Sequence, residues 1–345
     1  MSLTVVWQLT STCDLGCTDC PTATSKPHAN WRELTTFEAY KTIDQIAAMK
    51  PQRFVMSGGD PLARNDIFEL VQYARRRGVD PAVTVSPTRN LTAENVSKLR
   101  RNGVTRLVFS LNGSTPEKHD LVTSVPGSFA ATCRAMRWAH DSGIAIEVNT
   151  LVNRKTVADL GAIAEVIDPF RIDAWNVYFL VPMSASLSTQ SITPAQAEGA
   201  FAALSAIASL AQYKVRIAEA PAYRRFLMQQ AGVDQGSWAD FAGFVGSGEV
   251  IDEVVFITSD GDVRPSEFLP LSGGNMRERS LKKIVGMSDL FVSLRDRANL
   301  GGRCRVCEFR HVCGGSRARA WAMTGDLFAS DPLCGYQPKA MEIAV

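Results

Sequence analysis

The chain has 345 residues, of which 46% are hydrophobic, and its 37 basic and 35 acidic residues give a formal net charge of +2. No block of basic residues stands out, so the composition predicts no nucleic-acid partner. No apolar run reaches the length of a membrane span, and the first charged residue is Asp14, so we expect neither a membrane partner nor an export signal. The predicted location is the cytoplasm.

Short apolar strands alternate with amphipathic helices along the chain. A capping box of Thr35 and Glu38 predicts the start of the first helix. Alternating βα units predict an α/β protein with a parallel sheet, and six such units fit a partial (β/α)6 TIM-like barrel. The predicted strands lie at residues 4–10, 53–56, 81–85, 106–111, 144–152 and 176–181, and the later helices at 66–77, 92–101, 128–142 and 156–167.

Three cysteines, Cys13, Cys17 and Cys20, follow the first predicted strand with the spacing C-x3-C-x2-C. They therefore lie at the carboxyl end of that strand, where barrels of this kind collect their functional residues. Three thiolates can hold three irons of a 4Fe-4S cluster and leave the fourth iron open to a small chelating molecule. A structural zinc ion is the alternative, but it needs a fourth thiol or imidazole, and only His28 is close in the sequence.

The spacing and position of this triplet resemble those of the radical S-adenosylmethionine (SAM) superfamily. The resemblance implies that SAM binds the open iron and is cleaved to a 5'-deoxyadenosyl radical, with the electron supplied by a donor such as flavodoxin or ferredoxin. The turn after the second strand resembles the GGE motif of the family, with Asp60 in place of Glu. The segment that begins at Ser110 resembles the family motif SLDG, with Asn112 in place of Asp.

Other strand ends occupy positions at which relatives contact SAM. The resemblance thus implies a SAM site formed by Gly58, Gly59, Asp60, Ser86, Ser110, Asn149 and Val181. For each residue taken alone, a plain βα turn or a buried polar group bonded to the backbone is the alternative.

A second group of cysteines, spaced C-x2-C-x5-C-x20-C, lies near the C-terminus. A zinc ribbon or disulfides are the alternatives, although disulfides belong to oxidising compartments. The segment resembles the twitch domain, a truncated SPASM domain, and Ser266 and Arg317 stand where two further cluster ligands would be. The resemblance implies an auxiliary 4Fe-4S cluster on Cys304, Cys307, Cys313 and Cys334. We therefore divide the chain into a barrel at 1–215, a connecting helical segment at 216–250 and a twitch domain at 251–345.

Four residues near the position of a lost cluster ligand are candidate catalytic residues. We expect Arg317 to bind a substrate carboxylate through bidentate bonds and Glu267 to act as a general acid or base. Glu219 and Tyr223 follow an apparent strand end, and Tyr223 is a candidate relay for an electron or proton. The alternatives are an ion pair within the protein for Arg317, a solvated carboxylate for Glu267 and simple packing for Tyr223.

The whole chain most resembles the enzymes of haem and haem d1 biosynthesis that act on porphyrin side chains, and it is similar to small-molecule relatives such as cytosylglucuronate decarboxylase. It departs from the family at Asp19, at Thr123 and Ser124, where Arg-Gly is usual, and at Glu267, where a small residue is usual. These departures favour a specialised lyase or oxidoreductase.

We expect it to abstract hydrogen from a small carboxylate-bearing substrate, a sugar acid or nucleoside, in a pathway such as antibiotic biosynthesis. Decarboxylation or dehydration would follow. Porphyrin side-chain modification, peptide maturation and a non-catalytic iron-sulfur or zinc scaffold are the alternatives.

Overall fold

The computed structural model describes residues 3–17, 20, 32–233 and 254–342. Asp19, His28 and residues 234–250 of the predicted connecting segment lie outside these ranges. The strands are β1 (Thr4–Gln8), β2 (Arg53–Ser57), β3 (Pro81–Val85), β4 (Arg106–Ser110), β5 (Ala145–Val152), β6 (Ala174–Phe179), β7 (Lys214–Ala218), β8 (Val254–Ile257), β9 (Asp262–Arg264) and β10 (Gly274–Asn275).

Helices connect and follow these strands, and none of those described is long and apolar enough to cross a membrane. They are α1 (Thr36–Met49), α2 (Ile67–Arg76), α3 (Ala93–Arg101), α4 (Pro116–Thr123), α5 (Ser128–Asp141), α6 (Leu160–Ile167), α7 (Ala185–Ser188), α8 (Pro194–Leu210), α9 (Ala222–Gln230), α10 (Leu281–Met287), α11 (Asp289–Arg295), α12 (Gly302–Val306), α13 (Arg317–Thr324) and α14 (Lys339–Glu342). Short 3-10 turns lie at Pro61–Ala63, Val157–Asp159, Asp168–Phe170 and Arg297–Asn299.

The strands form one sheet in the order β10-β9-β8-β1-β2-β3-β4-β5-β6-β7. Strand β8 pairs in parallel with β1, and each strand from β1 to β7 pairs in parallel with the next. Strand β9 pairs antiparallel with both β8 and β10. The predicted α/β fold with a parallel core is confirmed, and each predicted strand and helix is present within a few residues of its expected bounds. The six expected units are extended by a seventh parallel strand, β7, beside β6.

The hairpin of β8 and β9 continues the barrel sheet instead of standing apart from it. Strand β8 pairs in parallel with β1, in a register that runs from Thr4 opposite Val254 to Trp7 opposite Ile257. Strand β1 therefore has a partner on both sides, which accounts for its almost complete burial. The division of the chain at residues 215 and 250 stays a prediction, but the sheet itself crosses it.

The two faces of the sheet follow the period of two that strands impose on side chains. In β1, Val5 and Trp7 belong to the large apolar core that the helices cover, whereas Val6 packs on the opposite face with Val55 and Val108. Helix α1 contributes Ala39, Ile43 and Ile46 to the large core. On the inner face Val6, Val55 and Val108 line a cavity that can take a ligand.

The capping box at the start of α1 is confirmed. The Thr35 hydroxyl accepts a hydrogen bond from the Glu38 amide, and the Glu38 carboxylate accepts one from the Thr35 amide at 2.9 Å. These bonds satisfy two amide groups that the first helical turn leaves without partners, and such a cap contributes about 1 kcal/mol. Helix α1 thus begins at a fixed position between β1 and β2.

A buried ion cluster lies toward the amino ends of the strands on the inner face. The Glu147 carboxylate of β5 is paired with Arg53 of β2, and its Oε1 lies 3.1 Å from Arg106 Nε and 3.3 Å from Arg216 Nη1. Burial raises the pKa of Glu147, but the guanidinium groups and a bond from Asn176 outweigh it and hold that pKa at about 2. This cluster ties four strands together below the cavity described next.

Candidate functional site

A cavity of about 240 Å³ opens along the carboxyl ends of β1 to β5 and reaches inward to Arg53. The structure brings many of the predicted site residues together in its wall. These are Cys13, Cys17, Cys20, Gly58, Gly59, Ser86, Ser110, Asn149 and Glu267. Asp60 and Val181 of the expected SAM site, and Arg317, Glu219 and Tyr223 of the expected catalytic set, are not among the lining residues.

The two glycines of the GGE-like turn allow close approach between two segments of backbone. The Gly59 amide donates to the Thr10 carbonyl at 2.8 Å, and the Asp60 amide donates to the Thr12 carbonyl at 2.7 Å. A Cβ atom on Gly59 would lie 2.3 Å from the Thr12 oxygen, and one on Gly58, at φ +138°, would lie 2.5 Å from the Thr10 oxygen. Glycine is therefore required here to seat the start of the cysteine loop on β2, whether or not SAM is present.

The Asp60 side chain turns away from the cavity, and the resemblance implies contact with SAM through the backbone of this turn, so its assignment to the SAM site stays a prediction. Its carboxylate accepts hydrogen bonds from the Leu62 amide at 3.0 Å, the Thr88 hydroxyl at 2.6 Å and the Asn90 amide group at 2.8 Å. Asp60 is 1% exposed. Its carboxylate therefore holds the loops after β2 and β3 together.

Two residues that the sequence did not single out hold the cysteine loop. The Glu33 carboxylate accepts bonds from the Thr10 hydroxyl and the Ser11 amide, both at 2.8 Å. Arg64 Nη1 donates to the Leu9 carbonyl at 3.0 Å. Neither Glu33 nor Arg64 belongs to a recognisable sequence motif. Their role in holding the cysteine loop is visible only from contacts in the folded chain.

The ends of β4 and β5 present polar side chains to the cavity. The Asn149 amide oxygen accepts a bond from Asn176 at 2.9 Å, and the Asn112 amide oxygen accepts one from the Leu151 amide at 2.8 Å. Asn112 also lines the cavity. In the SLDG-like segment, Asn112 therefore cross-links the end of β4 to the end of β5.

The Val181 side chain does not line the cavity, and its assignment to the SAM site stays a prediction. It is 1% exposed and packs with Leu269, Leu294 and Ala318. This apolar cluster joins the end of β6 to the C-terminal segment. The role of Val181 is therefore to fix that segment against the barrel.

A smaller cavity of about 50 Å³ adjoins the first and includes Glu219, Ser266, Glu267 and Ser316. The Glu219 carboxylate accepts a bond from the Ser266 hydroxyl at 2.7 Å and from the Ser316 hydroxyl at 2.8 Å. Its φ of +57° lies in the left-handed region, which costs free energy for a residue with a side chain. Glu267 borders both cavities.

The expectation that Arg317 binds substrate is corrected by its surroundings. Arg317 is 1% exposed, and its guanidinium donates to the carbonyl oxygens of Gly315 at 3.2 Å, Leu327 at 3.1 Å and Ala329 at 2.7 Å. It lines neither of the two cavities. Arg317 therefore lies inside the C-terminal segment, out of reach of a substrate in the barrel.

Tyr223 packs among aromatic rings, and its expected role as a relay stays a prediction. It is 2% exposed and lies between the rings of Phe201 and Phe226, with centroid separations of 5.5 and 6.2 Å. Burial raises the pKa of the Tyr223 phenol to about 12, so it stays protonated. Its ring adds to the core between α8 and α9.

The four C-terminal cysteines lie close enough to act electrostatically on one another, and all are free thiols. Within the described ranges, no group of three or more His, Cys, Asp or Glu side chains is placed to hold a single metal ion. The thiolates of a 4Fe-4S cluster each bind a different iron and do not need to converge. Four free, partly buried thiols supply a donor set that a 4Fe-4S cluster or a zinc ion can use.

Comparison with known proteins identifies the family. The radical SAM superfamily profile matches residues 7–167. The chain is 33% identical to the AdoMet-dependent heme synthase of Methanosarcina barkeri over 97% of its length and 96% of that protein, and 27% identical to the Fe-coproporphyrin III synthase of the same organism over 96% and 87%.

Among solved structures, SuiB of Streptococcus suis bound to S-adenosylmethionine superposes with a TM-score of 0.74 at 15% identity, over 97% of this chain and 77% of that one. At this identity the likeness shows the fold alone. Membership of the family implies a catalytic protein that uses SAM and a 4Fe-4S cluster. The chain therefore belongs to the radical SAM superfamily and is an enzyme of the subgroup to which the AdoMet-dependent heme synthases also belong.

Proposed function

We propose that this enzyme decarboxylates or otherwise modifies the carboxylate-bearing side chains of an iron porphyrin. The observation that carries the proposal is the 33% identity to a heme synthase, which extends over 97% of this chain and 96% of that protein. A likeness of this length includes both cysteine groups and the segment between them. It supports the porphyrin alternative over the sugar acid or nucleoside that the sequence departures favoured.

The chain's own residues prepare the setting for radical chemistry. A 4Fe-4S cluster on Cys13, Cys17 and Cys20 would supply the electron that cleaves SAM, and SAM would supply the radical that abstracts hydrogen. The aromatic rings of Tyr178 and Phe268 line the same cavity and would reduce the access of water to a bound substrate.

Polar side chains at three strand ends are placed to orient SAM along the same wall. Ser86, Ser110 and Asn149 all line the cavity, beside the cysteine triplet. Small hydroxyl and amide groups of this kind fix the orientation of a ligand while apolar surface supplies most of the contact. We propose that these three side chains contact the SAM nucleoside.

We propose further that Cys304, Cys307, Cys313 and Cys334 hold an auxiliary 4Fe-4S cluster. Burial raises the pKa of the Cys313 thiol, and it raises that of Cys307 to about 11, so the free thiols are protonated at neutral pH. Metal binding must therefore release these protons. Ser316, three residues after Cys313, lines the smaller cavity, so the cysteine group and that cavity are close along the chain.

Glu267 is the acid that we propose to face the substrate. It borders both cavities, so a substrate in either one lies against it. Both carboxylate oxygens of Glu219 accept serine hydroxyl groups. Glu219 is thus fixed in orientation, and we propose that it shapes the wall against which the substrate lies. Glu267 is then the residue placed to exchange a proton with a side-chain carboxyl group.

One observation favours a second candidate, the sugar acid or nucleoside. Thr123 lines the cavity at the end of α4, and Ser124 follows at φ +57°, in the region that favours glycine. Arg-Gly is usual in the family at this place. A threonine in place of the usual arginine changes the charge and size of this part of the wall and favours a substrate that differs from that of the relatives.

The experiment incubates anaerobically reconstituted enzyme with SAM, dithionite and Fe-coproporphyrin III whose side chains carry deuterium. We expect loss of carbon dioxide or another mass change in the porphyrin, together with deuterium in the released 5'-deoxyadenosine. Glu267→Gln should reduce product by tenfold or more while SAM cleavage persists, because one charge-assisted bond is worth about 1.5–3 kcal/mol. The matched control is Glu278→Gln, an exposed residue nearby.

Unchanged porphyrin and unlabelled 5'-deoxyadenosine would contradict the proposal. Consumption of a uronic acid nucleoside under the same conditions would then support the second candidate. A protein that releases no 5'-deoxyadenosine with any substrate, even at full iron content, would leave only a binding role for the barrel.

A further inference from the structure

The guanidinium of Arg317 carries one nitrogen without a partner among the described residues. Its Nε and Nη1 donate to three backbone carbonyls, whereas Nη2 is buried and has no hydrogen-bond acceptor. Buried donors in folded proteins are almost always paired, so an orphaned N–H on a charged group indicates an acceptor that the polypeptide does not supply. Asp331, an acid that acts electrostatically on Arg317, is already bonded to the Ser316 amide at 2.8 Å and paired with Arg319.

The unpaired nitrogen lies beside the C-terminal cysteines. A Cβ atom on Gly315 would lie 2.6 Å from Arg317 Nη2, so this nitrogen rests against the Gly315 backbone. The Gly315 amide in turn lies 3.4 Å from Cys313 Sγ. Gly315 has a φ of +67°, and a side chain there would collide with the guanidinium. Cys304 and Cys313 are also close enough to act electrostatically on Arg317.

We infer that Arg317 Nη2 donates a hydrogen bond to a sulfur atom of the auxiliary cluster and that its charge raises the reduction potential of that cluster. The inference rests on the proposed auxiliary cluster. Reduction adds negative charge, and a neighbouring buried cation stabilises the more negative form. Hydrogen bonds to cluster sulfurs and local charge are among the features that set such potentials. Arg317 is thus a residue that tunes the cluster, in place of the substrate ligand that the sequence predicted.

The test uses full-length protein in which Cys13, Cys17 and Cys20 are replaced by Ala, so that only the auxiliary cluster contributes to the spectra. The protein is labelled with 15N-arginine, and the reduced cluster is measured by pulsed electron paramagnetic resonance. We expect a 15N coupling to the cluster, which Arg317→Lys abolishes. Arg319→Lys is the matched control, because that buried arginine is fully occupied by Asp331 and by carbonyls of the barrel, and the coupling should persist in it.

A redox titration gives the second measurement. Arg317→Gln should shift the midpoint potential of the cluster to more negative values, and Arg319→Lys should leave it unchanged. Absence of 15N coupling in the parent protein, or a coupling that survives in Arg317→Lys, would overturn the inference even if the Gln variant fails to fold. If the protein without Cys13, Cys17 and Cys20 holds no iron, the auxiliary cluster itself is refuted. Iron analysis of that protein reveals this before any arginine variant is compared.

Discussion

A methyl group at Gly59 should disable the SAM site through the protein backbone. In Gly59→Ala the new Cβ atom would lie 2.3 Å from the Thr12 oxygen, about 0.7 Å inside the 3.0 Å limit for such contacts. The Thr12 carbonyl must retreat, and it is the acceptor of the 2.7 Å bond from the Asp60 amide. Overpacking of this kind costs about 1–3 kcal/mol. If about 1.4 kcal/mol of this cost destabilises the loop conformation that binds SAM, the Kd for SAM rises about tenfold.

Gly16→Ala supplies the matched control, because Gly16 lies between Cys13 and Cys17 and a Cβ atom there has no neighbour within 4 Å. Both variants would be reconstituted anaerobically, and their iron content, SAM affinity by calorimetry and Tm compared with the parent protein. We expect weaker SAM binding and partial loss of iron in Gly59→Ala, with Gly16→Ala close to the parent. Equal SAM affinity and iron content in the two variants would refute the backbone explanation of this glycine.

Two further predictions concern the ion cluster and the cysteines. The pKa of Glu147 is lowered from 4.5 to about 2, so its ionised form contributes about 3 kcal/mol to stability above pH 4.5, and this contribution should fall away as the pH drops from about 4.5 through about 2. Glu147→Gln should remove that pH dependence from chemical denaturation curves and lower stability by about 3–5 kcal/mol, because it leaves the arginines unpaired; an unchanged curve would contradict this. Replacement of Cys13, Cys17 and Cys20 by Ala should leave about four irons of about eight and abolish 5'-deoxyadenosine release, and complete loss of iron would count against the second cluster.

Local features of the chain were predictable because their causes are local. The capping box at Thr35 and the alternation of strands and helices depend on neighbouring residues, and both are present in the structure. The family could be identified from the spacing of Cys13, Cys17 and Cys20, because three closely spaced thiolates at a strand end have a specific chemistry. Strand β7 was not among the six predicted strands, although the sequence indicated a strand end just before Glu219.

Side-chain direction was the part that the sequence left open. Asp60 stands in the family motif, yet Thr88 and Asn90, 28 and 30 residues away, bind its carboxylate and turn it from the cavity. Arg317 seemed free to meet a substrate, but carbonyl oxygens of a later loop surround it. In both cases the outcome depends on competition among partners, which only the folded chain brings into reach.

The amino-acid sequence by itself therefore determined the parallel α/β fold, the two cysteine groups and the family, because periodicity, capping and ligand spacing act over short stretches. The tertiary structure alone decided that Ser266 and Ser316 meet on one Glu219 carboxylate, the latter across 97 residues, and that a single Arg317 nitrogen stays unpaired beside the C-terminal cysteines. Long-range contacts of this kind depend on how strands and loops pack. No local pattern encodes which of several polar groups reaches a given partner first.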